Sequence, residues 1–321
     1  MGTIVVFPRS GYANRLQTIV SASLLAEELG MDWKVCWLPQ DVCPVQAEQV
    51  FSAEFVRTRL ISPVVAEQGY RLVMEEVPRY LHASARGSRV YLAGHDRGEQ
   101  FYMPELRGML ETHSPELIAI VAGGKFTLNG DRQLTRQQDR QFRRHRFEAY
   151  QALELHPMVE DEVARYREVH GRYLSLHLRY SDRNTQAPWF WRIGPEVQRL
   201  SADTGISEVF VASDSMTARD GWVRRLTRAG FDTWVTQPES MNRHEAASAL
   251  GALVDWRILA QSTAMTYFRE SSFAEEACVA SGAFETSAAL SSSATRGRLV
   301  VLREYSRAAI TYPLRHGPLA R

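Results

Sequence analysis

Apolar positions along this chain switch between short continuous runs and a three-to-four-residue spacing, the signatures of buried strands and of the helices that pack on them. Residues 3–7 read as a strand, and after the loop at 8–14 the positions Leu16, Ile19, Val20, Ser23, Leu24 and Glu27 follow helical spacing until Gly30 ends the helix. Residues 33–38 read as a second strand, and residues 89–93 as another before a Gly94-His95-Asp96 turn. Between about 123 and 146 the pattern dissolves, with Gln137-Gln138-Asp139-Arg140 and Arg143-Arg144-His145-Arg146 showing little apolar periodicity. A domain junction is expected there, dividing the chain into residues 1–145 and 146–321.

The alternation then restarts. A helix over residues 158–170 is followed by strands at 173–177 and 208–212, a helix through Trp222, Leu226 and Ala229, and a strand at 232–236. A long helix over about 244–261 follows, then a shorter one opened by Ser272, where Ser272 and Glu275 have the S-x-x-E spacing of a capping box, and a late strand at 299–302. Strands alternating with helices build parallel sheets from βαβ units. The expected fold class is therefore α/β, with two Rossmann-like domains.

Composition agrees and narrows the function classes. A chain of 321 residues that is 45% hydrophobic can bury two modest cores. Its formal net charge of +1 gives no general reason to bind nucleic acid or a membrane surface, since non-specific binding of either needs a marked positive excess. Lys34 and Lys125 are the only lysines, an arginine preference expected of codon bias in a GC-rich, bacterial genome. Cys36, Cys43 and Cys278 form no C-x-x-C pair and are odd in number, as expected of reduced packing thiols. The opening residues read as strand rather than signal peptide, Val6 stands where a myristoylation signal wants a hydroxyl, and no apolar run approaches the ~20 residues that span a bilayer. A cytoplasmic location is expected.

Several signatures fail on inspection. Residues 119–126 resemble a phosphate-cradling loop, but Ala119 replaces its first glycine and Phe126 its magnesium-binding hydroxyl, so the segment reads as a simple turn. In His244-Glu245-Ala246-Ala247-Ser248 a serine stands where a zinc site needs its second histidine. Neither a G-x-S-x-G elbow nor a G-x-G-x-x-G fingerprint occurs.

Three segments remain. In Gly11-Tyr12-Ala13-Asn14-Arg15-Leu16, at a strand-to-helix turn, Asn14 either caps the helix or presents a polar group to a ligand. His177-Leu178-Arg179-Tyr180-Ser181-Asp182 follows the apolar run at 173–176. An arginine at the carboxyl end of a buried strand is placed to hold an anionic, phosphate-bearing ligand, or else to pair with Asp182 on the surface. At Ser271-Ser272-Phe273 a helix start offers hydroxyls and free backbone N–H groups, which both cap the helix and suit an anion.

Taken in order, these segments resemble the fucosyltransferase superfamily, with its G-x-G-N-[RQ] turn, H-x-R strand end and S-S-F helix start. Leu155-His156-Pro157 resembles its L-x-P stretch, residues 209–215 its A-[TS]-D strand, and residues 255–262 its helix that begins with aspartate. The resemblance implies a GT-B fold, two Rossmann-like domains facing across a cleft, the C-terminal one holding a GDP-sugar and the N-terminal one facing a glycan or small-molecule acceptor. It implies that Arg179 contacts the donor β-phosphate, that Ser271, Ser272 and Phe273 surround the pyrophosphate and nucleotide, and that Asn14 lies near the sugar or acceptor. His177, Asp214 and Asp255 are further donor-site candidates.

On this reading, sugar transfer from GDP-fucose leaves charge on the departing diphosphate, which Arg179 and the helix start stabilise in place of a metal ion. Metal-independent, inverting transfer is expected, with no cofactor beyond the nucleotide sugar. The chain departs from the family at Ala13, where glycine is usual, and at Tyr180, where many members carry a second arginine. Residues 183–188 contain no carboxylate, so the general base is unassigned, and Asp182 is either that base or a group orienting Arg179 or His177. Trp189 and Trp191 either line the acceptor cleft or fill a domain interface. Two alternatives stand: the same fold using another nucleotide sugar, and a nucleotide-binding relative without turnover.

Overall fold

The structure is a computed structural model that describes residues 2–77, 83–94, 104–126, 136–180, 190–238, 244–269 and 271–290. Its first elements are β1 (Thr3–Pro8), α1 (Tyr12–Leu29), β2 (Asp32–Val35), α2 (Ala53–Arg59), α3 (Pro63–Glu76), β3 (Ala83–Arg86), β4 (Arg89–Ala93), α4 (Pro104–His113), β5 (Leu117–Ala122), α5 (Arg136–Gln151) and α6 (Pro157–Val169). There follow β6 (Leu174–Leu178), α7 (Phe190–Thr204), β7 (Glu208–Ser213), α8 (Met216–Arg228), β8 (Asp232–Trp234), α9 (Ala246–Leu259), β9 (Ala264–Phe268), α10 (Ser272–Ala280) and β10 (Ala288–Leu290).

These elements form two compact units. The first comprises Met1–Gly171, Gln237–Gln261 and Glu276–Gly282, and the second comprises Arg172–Thr236, Ser262–Glu275 and Ala283–Arg321. The first sheet has the order β2-β1-β5-β4-β3, parallel except for the β3–β4 hairpin, whose turn places Gly87 at φ 59, a left-handed conformation that suits glycine. The second sheet, β10-β9-β6-β7-β8, is parallel throughout. All five residues of β6 are buried: Leu174, Leu176 and Leu178 pack with Val209, Val211, Trp222 and Leu226 into the second unit's core, while the alternate positions hold the buried polar residues Ser175 and His177. The α/β class and the two parallel-dominated sheets agree with the sequence pattern.

The expected junction near residue 145 does not separate the units, because α5 packs on α1 and α6 on α9 within the first unit. Nor is the polar stretch before residue 146 irregular throughout: residues 136–151 form α5. Periodicity missed this helix because one of its buried contacts is ionic. Arg146 is fully enclosed and pairs with Glu276, so the inward face is not a simple apolar stripe. The segment weighed only as a phosphate loop or a turn begins inside β5, a central strand, and the turn comes afterwards at Gly123-Gly124. The expected strand at 299–302 lies outside the described residues. All three cysteines are free and buried, and among the described residues no helix is long and apolar enough to cross a membrane.

Candidate active site

In the second unit the parallel register sets His177 beside Ala212 and Leu178 beside Ser213. The residues that follow both strands, Arg179 and Asp214, therefore emerge at one sheet edge, with Arg179 Nε 3.9 Å from Asp214 Oδ2. The Tyr180 backbone N–H donates to Asp214 Oδ1 at 2.7 Å, which ties the end of β6 to the residue after β7. Asp214 is followed by a built turn: the Ser215 N–H donates to Ser213 Oγ at 3.1 Å, and Ser215 Oγ accepts from the Ala218 N–H at 3.3 Å to cap α8. Side-chain exposures of 23% for Arg179 and 28% for Asp214 leave the pair open to a ligand from solution.

On the other side of β6, the chain leaving β9 turns into α10. The Ser271 N–H donates to the Phe268 carbonyl at 2.9 Å, the Ser271 carbonyl accepts from the Glu275 N–H at 2.9 Å, and Ser271 Oγ accepts from the Ala274 N–H at 3.4 Å. Ser271 is thus the residue that caps α10, while Ser272 is the first residue inside it. This corrects the expected Ser272/Glu275 capping box by one position. Because Ser271 already takes the first turn's outer bonds, Ser272 and Phe273 are the half-buried residues that the helix start presents.

Phe273 meets the histidine of the H-x-R segment, with ring centroids 5.2 Å apart and 30° between planes. His177 is only 5% exposed, and among the described residues its Nδ1 has no hydrogen-bond partner. Burial pushes its imidazole down to about 4, against the opposing pull of Asp214 and with a smaller push from Arg179. The ring is therefore neutral at pH 7. His177, Arg179, Asp214, Ser271, Ser272 and Phe273 all belong to the second unit, at the carboxyl ends of β6 and β7 and the start of α10.

Tyr180 is a structural residue. Its ring packs against the second unit's core, and the Trp222 indole N–H hydrogen-bonds its hydroxyl. The side chain standing where a second arginine is usual is thus engaged by the core. Asp255 lies on α9, which belongs to the first unit. Asn14 also lies in the first unit, as the third residue of α1 and half-buried. It does not cap that helix, since Gly11 occupies the capping position, and its carbonyl accepts from Thr18 Oγ at 3.0 Å. Asp182 and Trp189 lie outside the described residues, as does the side chain of Trp191. The described carboxylate beside Arg179 is Asp214. Sequence reasoning gave Asp214 no such role, although its position directly after an apolar strand parallels that of Arg179. Among the described residues no three His, Cys, Asp or Glu side chains gather as a metal site.

Electrostatically this edge joins the Arg179 guanidinium with its Asp214 partner, a neutral imidazole and the start of α10 with its partial positive charge. Such a set suits a phosphate-bearing ligand with an aromatic or apolar portion near Phe273. No protein-family model matches the chain, and no curated protein matches it by sequence. Solved structures do match in fold. POFUT1 in complex with GDP superposes with a TM-score of 0.53 at 11% identity, over 90% of this chain and 98% of that one. NodZ alpha-1,6-fucosyltransferase soaked with GDP-fucose gives 0.54 at 14%, over 87% and 92%. A variant of Arabidopsis thaliana FUT1 in complex with GDP gives 0.59 at 14%, over 88% and 69%. The chain thus has the fold of these fucosyltransferases, the GT-B fold that its motifs led us to expect.

Proposed function

We propose that this chain is a glycosyltransferase that moves fucose from GDP-fucose to a hydroxyl acceptor, with inversion and without a metal ion. The observation that carries the reading is the position of Arg179. It stands beside Asp214 at the end of β6, in the same unit as the Ser271-Ser272-Phe273 helix start, and the neighbours in fold were captured with GDP or GDP-fucose. On this reading the second unit binds the donor and the first faces the acceptor.

In the reaction an acceptor oxygen forms a bond to the anomeric carbon while the bond from that carbon to the diphosphate breaks. GDP departs with the electron pair, and the acceptor proton passes to a base that is not assigned. Negative charge builds on the departing phosphate. Arg179 and the start of α10 are aimed at that charge before the reaction begins, so little reorganisation is required. His177 packs on Phe273 and, being neutral, adds no competing cation. Asp214 accepts from the Tyr180 N–H and thereby fixes the backbone that carries Arg179.

Calorimetric titration with GDP tests this directly. Arg179→Ala should abolish measurable GDP binding and lower turnover by about 10²- to 10³-fold, the cost of losing one preorganised donor. Its melting temperature should stay unchanged, since a partly exposed ion pair of this kind contributes ~1 kcal/mol at most. Undiminished GDP affinity in that variant would overturn the assignment.

A further inference from the structure

We propose that Arg15 and Gln40 are positioning residues that lock the turn at Ser10 and so set the direction in which Asn14 points. The inference rests on the reading that Asn14 faces the donor sugar or acceptor. Ser10, between β1 and α1, has φ 67, a left-handed conformation that strains a residue other than glycine and persists only where its surroundings hold it. Here both of its peptide groups are held. Its N–H donates to Gln40 Oε1 at 3.1 Å, and its carbonyl accepts from Arg15 Nε at 2.8 Å.

Arg15 in turn donates from Nη2 to the Leu38 carbonyl at 2.9 Å, and its guanidinium lies over the Trp37 ring, 4.5 Å from the centroid. It is 0% exposed, and burial lowers its pKa. Among the described residues its partners are carbonyls and a ring rather than a carboxylate. A buried cation without a counter-charge is expensive, and what this one does is pin the turn after β1 to the chain after β2. Gln40 is itself held by paired backbone hydrogen bonds with Cys43, of 3.1 and 2.8 Å. The end of β5 is shaped to the same turn, since a Cβ on Gly123 would come within 3.0 Å of Ser10 Oγ.

The Arg15 N–H bonds the Gly11 carbonyl at 3.1 Å, so the helix begins directly after this turn. A slip of one residue in that start would rotate Asn14 by about 100° around the helix axis.

Gln40→Ala and Gln40→Glu separate the proposal from a general loss of fold, because glutamate keeps an acceptor oxygen for the Ser10 N–H. The measurement is GDP release from GDP-fucose with water as acceptor, alongside GDP affinity and amide hydrogen exchange at Ser10. Gln40→Ala should lower turnover at saturating donor by about tenfold or more, as misplaced catalytic groups do. GDP affinity should be unchanged, exchange at the Ser10 amide should be faster, and Gln40→Glu should return all three readouts to wild type. Wild-type turnover in Gln40→Ala, with Asn14→Ala impaired, would overturn the inference, and so would unchanged exchange at Ser10. Wild-type turnover in Asn14→Ala would instead contradict the proposed role of Asn14.

Discussion

Gln17 Nε2 donates to Glu276 Oε1 at 2.6 Å, a bond that joins residues 259 positions apart. The other carboxylate oxygen accepts from Tyr150 Oη at 2.7 Å and pairs with the Arg146 guanidinium. All four side chains are buried. Gln17 lies on α1, one turn beyond Asn14, while Glu276 lies on α10, one turn beyond Ser272. Within α10 the chain passes from the second unit, at Glu275, to the first, at Glu276. A single carboxylate therefore anchors the far half of α10 within the first unit.

Removing one partner of a buried ion pair leaves the other charge uncompensated, at a cost of about 3–5 kcal/mol. Glu276→Leu should accordingly lower the unfolding free energy in urea by that amount, and Arg146→Met similarly. The double variant Arg146→Met/Glu276→Leu should recover much of the loss, because neither charge then remains buried. Equal losses in the double variant and the sum of the single ones would show that the pair is not coupled.

His177 gives a pH dependence with a definite sign. Its imidazole is pushed down to about 4 by burial, whereas in the unfolded chain it titrates near the ordinary value of about 6.5. Between those values the unfolded chain binds a proton that the folded one does not, so stability rises with pH across the window. The contribution is complete above the unfolded value and is lost as pH falls toward 4. His177→Gln should flatten the stability profile between pH 4 and 6.5, measured by urea unfolding at several pH values. A slope identical to wild type would contradict the buried, neutral histidine.

The sequence showed β1 and β7 as nearly continuous apolar runs, and β6 through its regularly placed Leu174, Leu176 and Leu178. It also placed Arg179 at a strand end and Ser271 and Ser272 at a helix start, since both depend on local chemistry. What it did not show depends on pairing across the fold. Asp214 became the partner of Arg179 only through the parallel register of β6 and β7. Helix α5 was hidden because the partner of its buried Arg146 lies 130 residues away, at Glu276. Asp255, named with the donor-site candidates, belongs to the first unit whereas the others lie in the second, an assignment that order along the chain does not reveal.

The proposed chemistry assigns charge stabilisation to Arg179 and the start of α10, so a divalent cation has no necessary role. GDP release from GDP-fucose should be unchanged by EDTA. A strict requirement for added magnesium or manganese would place part of that stabilisation on a metal and contradict the mechanism.

The central claim is that the edge formed by β6, β7 and α10 binds a guanosine diphosphate sugar. Thermal-shift measurements on the wild-type chain with GDP, UDP, dTDP and ADP test it most directly, since a ligand that binds only the folded state raises the melting temperature by an amount that grows with the logarithm of its concentration relative to its dissociation constant. GDP at 100 times its dissociation constant should stabilise by about 2.7 kcal/mol, with little effect from the other three. Stabilisation by UDP or dTDP without stabilisation by GDP would contradict the account.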